Sequence, residues 1–206
     1  MSGPADARKI AVVDFGGQYA HLIASRLRRL GAYSEIQSPH DFDAATAKRE
    51  YSGIVFSGGP SSVYEAGAPR SKPELIEAGL PLLGICYGHQ LLMQQAGGEV
   101  RSSGSQEFGP ARLALGAARE LFAGENAADG PVVWMSHGDE VTALPAGFQE
   151  LASTPDCRFA AVGDPRRKLY GLQFHPEVKE TERGDEYLKN FIKICGLENT
   201  WNLGDF

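Results

Sequence analysis

Cysteine is scarce in this 206-residue chain, which has only Cys86, Cys157 and Cys195. Three scattered thiols cannot make a disulfide framework, and no CxxC pair suggests a zinc site. That usage fits a reducing, cytoplasmic setting, and no metal is expected. No apolar run approaches the ~20 residues a membrane helix needs. The opening MSGPADARK is polar and lacks the apolar stretch of a signal peptide. Excess positive charge is also missing: 20 Lys and Arg stand against 26 Asp and Glu, a formal net charge of -6. The basic residues are dispersed apart from short pairs such as Arg28-Arg29 and Arg166-Arg167. This balance argues against a nucleic-acid or anionic-membrane partner. Neither GxGxxG nor a Walker GxxxxGK(S/T) occurs, so the chain is expected to hold no dinucleotide or ATP site. Internal repeats and low-complexity segments are lacking as well.

What is present is a 42% hydrophobic content, enough for one sizeable core. In the first half, short apolar runs alternate with helical periodicity. Strands are expected at Lys9 to Asp14, Tyr33 to Gln37, Gly53 to Ser57 and Leu82 to Ile85. Between them, Tyr19 to Leu30 carries the stripe Leu22, Ile23, Leu27 and Leu30 and stops at Gly31. Pro73 to Ala78 reads as a short helix, and Gly88 to Ala96 as a helix ended by Gly97-Gly98. This β-α alternation predicts an open, mostly parallel sheet with helices on both faces. The second half reads as strands at 112–115, 132–135, 149–153, 160–162 and 169–174. Few helices separate them, so a partly antiparallel extension is expected before a closing helix at Glu186 to Ile194.

One cysteine stands at a joint. In PLLGICYGHQ (Pro81 to Gln90) Cys86 falls between a buried strand and a helix start, with Gly84 and Gly88 two residues to either side. That is the spacing of a nucleophile elbow, with Cys where hydrolases carry Ser. The helix N-terminus behind it favours a thiolate. A small buried core residue is the competing reading, because burial is among the commonest fates of Cys.

A thiol nucleophile needs a base, and five histidines are available: His21, His40, His89, His137 and His175. In YGLQFHPEV, His175 ends a strand-like run and Pro176 holds it extended. Glu177, two residues on, projects to the same side, where a carboxylate orients an imidazole. His137, in the polar loop expected after the strand of WMSHGDEV, is a competing base, but no carboxylate follows it at i+2 behind a rigid spacer. Gly58-Gly59-Pro60 follows a strand and so faces the same sheet edge. A glycine amide there and the Tyr87 amide are the candidate oxyanion donors. DFGGQY (Asp14 to Tyr19) looks like a ligand loop after the first strand.

GGP at Gly58 to Pro60, GICYGHQLL at Gly84 to Leu92 and GLQFHPE at Gly171 to Glu177 together resemble the class I, triad-type glutamine amidotransferases. The three motifs keep the family's order and span most of the chain. DFGGQY, FSGGPSSVYE, EFGPA and WMSHGDEV are further similar to the branch of that family serving GMP synthesis. The resemblance implies a flavodoxin-like core. It also implies that Cys86 attacks the side-chain amide of glutamine, with His175 as base and Glu177 orienting it. Gly59 and Tyr87 amides would hold the oxyanion, while Gly58, Gln90, Ser136 and His137 would hold the rest of glutamine. Ammonia would pass to an ATP-dependent synthetase domain that aminates XMP. ATP and Mg are expected in that partner domain, and no cofactor in this chain.

By the same resemblance, residues 1–8 would form a flexible tail and 9–196 the glutaminase domain. Residues 197–206 would be a tail or the start of a linker to the synthetase. The chain would be either an excised domain or a free-standing subunit. Two positions depart from the branch's pattern: Lys179-Glu180-Thr181 stands where Thr-His-Thr is frequent, and Gln106 where arginine is. Rival readings keep the fold but change its use, to a glutaminase for another amidotransferase, a γ-glutamyl Cys hydrolase, or a binding module without catalysis.

Overall fold

The computed structural model describes residues 8–116, 120–125, 130–198 and 200–201. The chain runs β1 (Lys9–Val13), α1 (Ala20–Arg29), β2 (Ser34–Gln37), α2 (Ala44–Glu50), β3 (Tyr51–Phe56), β4 (Leu82–Ile85) and α3 (Tyr87–Gln95). It continues with β5 (Glu99–Arg112), β6 (Ala114–Leu115), β7 (Val132–Ala143), β8 (Gln149–Ser153), β9 (Ala161–Asp164), β10 (Leu169–Leu172) and α4 (Gly184–Ile194). Eight strands form one sheet in the order β2-β1-β3-β4-β10-β9-β8-β6. From β2 to β10 neighbouring strands are parallel, and from β10 onward antiparallel. This is the expected mostly parallel sheet with an antiparallel extension. The expected flexible tail at residues 1–8 lies, apart from Arg8, outside the described residues.

The central strands are buried on both faces, which is why they read as unbroken apolar runs. Every residue of β3 and β4 is buried. Along β1 the side chains alternate between two cores: Ile10 and Val12 belong to one, Ala11 and Val13 to the other. The first core takes Ile23 and Leu27 from α1 and Leu188 and Phe191 from α4. The second takes Ala47 from α2 and Leu91, Leu92 and Met93 from α3. Helices therefore cover both faces. The α2 helix has no apolar stripe, only Ala47 being buried, and its start is set by Asp43, which accepts the Thr46 N–H at 2.8 Å.

Three expectations need correction. Pro73 to Ala78 forms only a single 3-10 turn at Pro73–Leu75, so the expected helix is cut short. Arg112 to Leu115 is not one strand: Arg112 ends β5 and Ala114–Leu115 is β6, in different sheets. Ser136 to Asp139 is not a loop but the middle of β7, which pairs antiparallel with β5 as a separate two-stranded ribbon. Phe108 lies opposite Ser136 and Glu107 opposite His137. These polar residues are extended because a partner strand binds their backbone. Beyond α4, Leu197 is buried, the Trp201 N–H donates to the Gly31 carbonyl at 3.1 Å, and the Trp201 and Tyr33 rings lie 5.8 Å apart.

Candidate active site

Cys86 stands between the end of β4 and the first residue of α3, with φ 51° and ψ -109°. A left-handed φ on a non-glycine residue is strained and persists only where its surroundings impose it. Here the Cys86 N–H donates to the Leu172 carbonyl of β10 at 2.8 Å, and the Cys86 carbonyl accepts the Gln90 N–H at 3.1 Å. The flanking glycines make the turn passable. A Cβ on Gly84 would lie 2.5 Å from the Gly88 carbonyl oxygen, and one on Gly88 would run into the Phe56 carbonyl. The Gly88 N–H also donates to the Ser57 carbonyl at 3.1 Å, tying the elbow to the end of β3.

The chain leaving β10 carries Gln173, His175 and Glu177 to the same edge of the sheet. The His175 N–H donates to the Trp134 carbonyl at 3.1 Å, and its ring Nδ1 lies 2.7 Å from Glu177 Oε1. Because a carboxylate only accepts, Nδ1 carries the proton of this bond and Nε2 is left for the sulfur. The ring and Cys86 line the same cavity, and both side chains flank Gly58, where a Cβ would sit 3.2 Å from His175 Cε1 and 3.7 Å from Cys86 Cβ. Burial alone pushes the His175 imidazole down. The Glu177 charge, then the neighbouring Cys86 and the Glu177 hydrogen bond, outweigh it and lift the ring to about 11. Glu177 is fully buried. The Tyr19 ring packs edge-on against the imidazole at 5.5 Å. Thr181 Oγ donates to the His175 carbonyl at 2.6 Å and accepts the Trp134 N–H at 3.0 Å.

Two cavities meet at Cys86. The larger, about 630 Å³, is lined by Gly59, Tyr87, Gln90, Ser136 and His137. The smaller, about 380 Å³, is lined by Gly16 to Tyr19, Gly58, Gly59, Ser136 and His175. DFGGQY is thus one wall of the site, anchored where the Phe15 N–H donates to Ser57 Oγ at 3.0 Å. The Cys86 thiol donates to the Ser136 carbonyl at 3.5 Å. His137 lines the larger cavity, but its ring is engaged at both nitrogens, Nδ1 with the Asp139 carbonyl at 2.9 Å and Nε2 with Glu107 Oε2 at 2.8 Å. A ring held in this way is not free to take a proton from Cys86, whereas His175 shares the smaller cavity with Cys86 and lies beside it across Gly58.

Several neighbours of the site were not singled out by sequence pattern. Gln173 Nε2 lies 3.8 Å from Cys86 Sγ, and its Oε1 accepts from Gln90 Nε2 at 3.1 Å. Strand alternation was the available signal, since Gln173 precedes His175 by two. Glu107, His137 and Cys157 bring their ligand-type atoms within 4.8 Å of one another. They come from three separate segments, so no spacing announces them. The Cys157 thiol is pushed up to about 12, mainly by burial and then by Glu107 and Glu140. Burial likewise pushes the Cys195 thiol up.

The chain is similar to known proteins along nearly its whole length. The profile of the class-I glutamine amidotransferases matches residues 11–195. A probable glutamine-hydrolyzing GMP synthase of Leptospira interrogans is 50% identical over 199 residues, covering 97% of this chain and 33% of that protein. A glutamine-hydrolyzing GMP synthase of Aliarcobacter butzleri is 46% identical over 198 residues, covering 96% and 38%. The chain thus spans 33–39% of the length of the curated relatives it matches. Among solved structures, a putative GMP synthase subunit from Thermoplasma acidophilum superposes with a TM-score of 0.79 at 31% identity, covering 92% of this chain and 94% of that one. A glutamine amidotransferase from Thermotoga maritima shares the fold at 20% identity, with a TM-score of 0.71 and coverage of 95% and 99%. A profile match over nearly the whole chain, joined to a full-length structural relative, places this chain in the class-I glutamine amidotransferase family.

Proposed function

We propose that this chain is the glutaminase of a GMP synthetase, releasing ammonia from glutamine for an ATP-dependent domain or subunit that converts XMP to GMP. The observation that carries the reading is the strained Cys86 elbow placed beside the hydrogen-bonded His175-Glu177 pair across Gly58. Likeness along nearly the whole chain to about a third of the length of GMP synthases supports the acceptor.

In this reading glutamine lies in the larger cavity, its amino-acid end held by Gln90 and the Ser136-His137 backbone, with Gly58 nearby in the adjoining smaller cavity. With its proton on His175, Cys86 attacks the side-chain amide carbon. The Gly59 and Tyr87 N–H groups receive the oxyanion, a contribution worth on the order of a hundred- to a thousand-fold per donor. As the C–N bond breaks, His175 returns the proton to nitrogen, leaving a γ-glutamyl thioester and ammonia. Water then loses a proton to His175, attacks the thioester, and expels the Cys86 sulfur, which recovers the proton. Glu177 keeps the imidazole oriented and favours its charged form throughout. His175 lines only the smaller cavity of the two, so ammonia is released toward the Gly16 to Tyr19 wall. ATP and Mg act in the partner, not here.

The test is labelling with a glutamine-analogue chloroketone followed by peptide mapping. Modification at Cys86 that disappears in Cys86→Ala, together with loss of glutaminase activity, is the expected result. Addition of a cognate synthetase with ATP, Mg and XMP should raise glutamine turnover. Labelling elsewhere, or an active Cys86→Ala, would overturn the catalytic reading. Full labelling without stimulation by the synthetase would overturn the GMP assignment alone.

A further inference from the structure

Gln173 has no part in the mechanism above, yet it is fully buried against the nucleophile. Its backbone is fixed by its N–H, which donates to the Ala160 carbonyl at 2.9 Å. Its side chain links two residues of the site. The direction of that link follows from which groups can donate. The Asp139 carbonyl can only accept, and Gln90 Nε2 donates to it at 2.9 Å. Gln90 therefore turns its amino group, not its oxygen, toward this corner. The same Nε2 donates to Gln173 Oε1 at 3.1 Å. With its oxygen so used, Gln173 presents its own amino group to Cys86 Sγ at 3.8 Å. Flipping the Gln173 amide would set amino against amino and turn a carbonyl oxygen onto the sulfur.

The sulfur has a second neighbour of opposite character. The Ser136 carbonyl, 3.5 Å away, accepts from the thiol but has nothing to offer a thiolate. Once the proton passes to His175, the sulfur becomes purely an acceptor, and Gln173 is the amide donor that meets it. The same contact serves again when water attacks the thioester and sulfur leaves carbon with the bonding pair. We infer that Gln173 is a catalytic residue of this site, an amide donor to the Cys86 thiolate aimed by the one-way chain Asp139-Gln90-Gln173. The inference rests on Cys86 being the glutamine-attacking nucleophile. It also gives Gln90 two duties: both its amide protons serve the chain, which leaves its Oε1 for the substrate.

The experiment compares wild type, Gln173→Met and Gln173→Glu. Met is of similar length without a donor, and Glu is nearly isosteric but turns an acceptor toward the sulfur. Measured are the rate of Cys86 alkylation by iodoacetamide from about pH 5 to 10, glutaminase kcat and KM, and the urea midpoint. Hydrogen bonds to charged groups are typically worth enough for Gln173→Met to lower kcat roughly ten-fold or more. KM should change little, and the pH midpoint of alkylation should move upward. Gln173→Glu should react more slowly still above the pH at which its carboxylate ionises. If Gln173→Met fails to fold, Gln173→Glu decides. Wild-type alkylation profile and kcat in a folded variant would overturn the role of Gln173. No alkylation of Cys86 in the wild type would overturn the nucleophile assignment instead.

Discussion

The Cys86 N–H donates to the Leu172 carbonyl across 2.8 Å, joining the nucleophile's turn to the strand whose continuation carries His175. β4 and β10 are parallel neighbours, with Ile85 opposite Leu172. Both strands therefore end at the same level. Cys86 after one strand meets Gln173 to Glu177 after the other, at the sheet's carboxyl edge. Open α/β sheets bind ligands at that edge.

The elbow depends on close backbone passage. Gly88→Ala would drive a Cβ into the Phe56 carbonyl. We expect a loss of about 1–3 kcal/mol in stability and a larger proportional loss of glutaminase activity, because Cys86 is displaced. Urea denaturation with parallel kinetics checks this. Unchanged activity would mean that the turn tolerates what the geometry forbids.

Glu177→Gln keeps an acceptor for His175 Nδ1 but removes the charge that lifts the imidazole to about 11. The expected fall in kcat is on the order of a hundred-fold or more. The stability sign follows from linkage. A group raised from 6.5 to about 11 contributes stability fully below pH 6.5 and loses it as the pH rises toward 11. Urea midpoints between pH 6.5 and about 10 should therefore fall more steeply in wild type than in Glu177→Gln. Parallel curves would refute the pairing.

His89 acts in the opposite sense. Burial, then the nearby His137, pushes it down to about 3, while the Phe159 backbone works weakly against this. Between pH 6.5 and 3 the unfolded chain binds a proton there that the folded chain refuses, so stability falls as the pH falls through that window. His89→Leu should flatten this acid limb. An equally steep limb in the variant would assign acid lability to other groups.

Thr181 ties the base to the ribbon. Thr181→Val leaves the His175 carbonyl and the Trp134 N–H without their hydroxyl partner, at a cost of about 1–3 kcal/mol. Thr181→Ser should restore both stability and kcat. Failure of Ser to restore them would mean that the methyl packing matters rather than the hydroxyl.

Much of the fold is legible in the chain. The parallel strands are short runs of contiguous apolar residues, the helices α1 and α4 show their buried stripes, and the glycines around Cys86 announce a tight joint. The β5-β7 ribbon is not legible. EVRSSGSQEFGPAR has no apolar alternation, because its ribbon leaves much of it exposed, as with Phe108 at 62%. Its extended form comes from pairing with β7, whose register is a long-range property. For the same reason Ser136 to Asp139 reads as a loop, and the Glu107 contact that occupies His137 has no local signal.

The elbow at Cys86, the His175-Pro176-Glu177 run just beyond β10 and the Gly58-Gly59 turn are written in the residue order alone, because local backbone chemistry sets each of them. Three other outcomes emerge only when the chain folds: which histidine meets the sulfur, that DFGGQY walls the site, and that Gln173 points an amide at Cys86. They depend on strand order and on hydrogen bonds between residues as far as 87 positions apart, and no local pattern encodes which distant donor will face which acceptor.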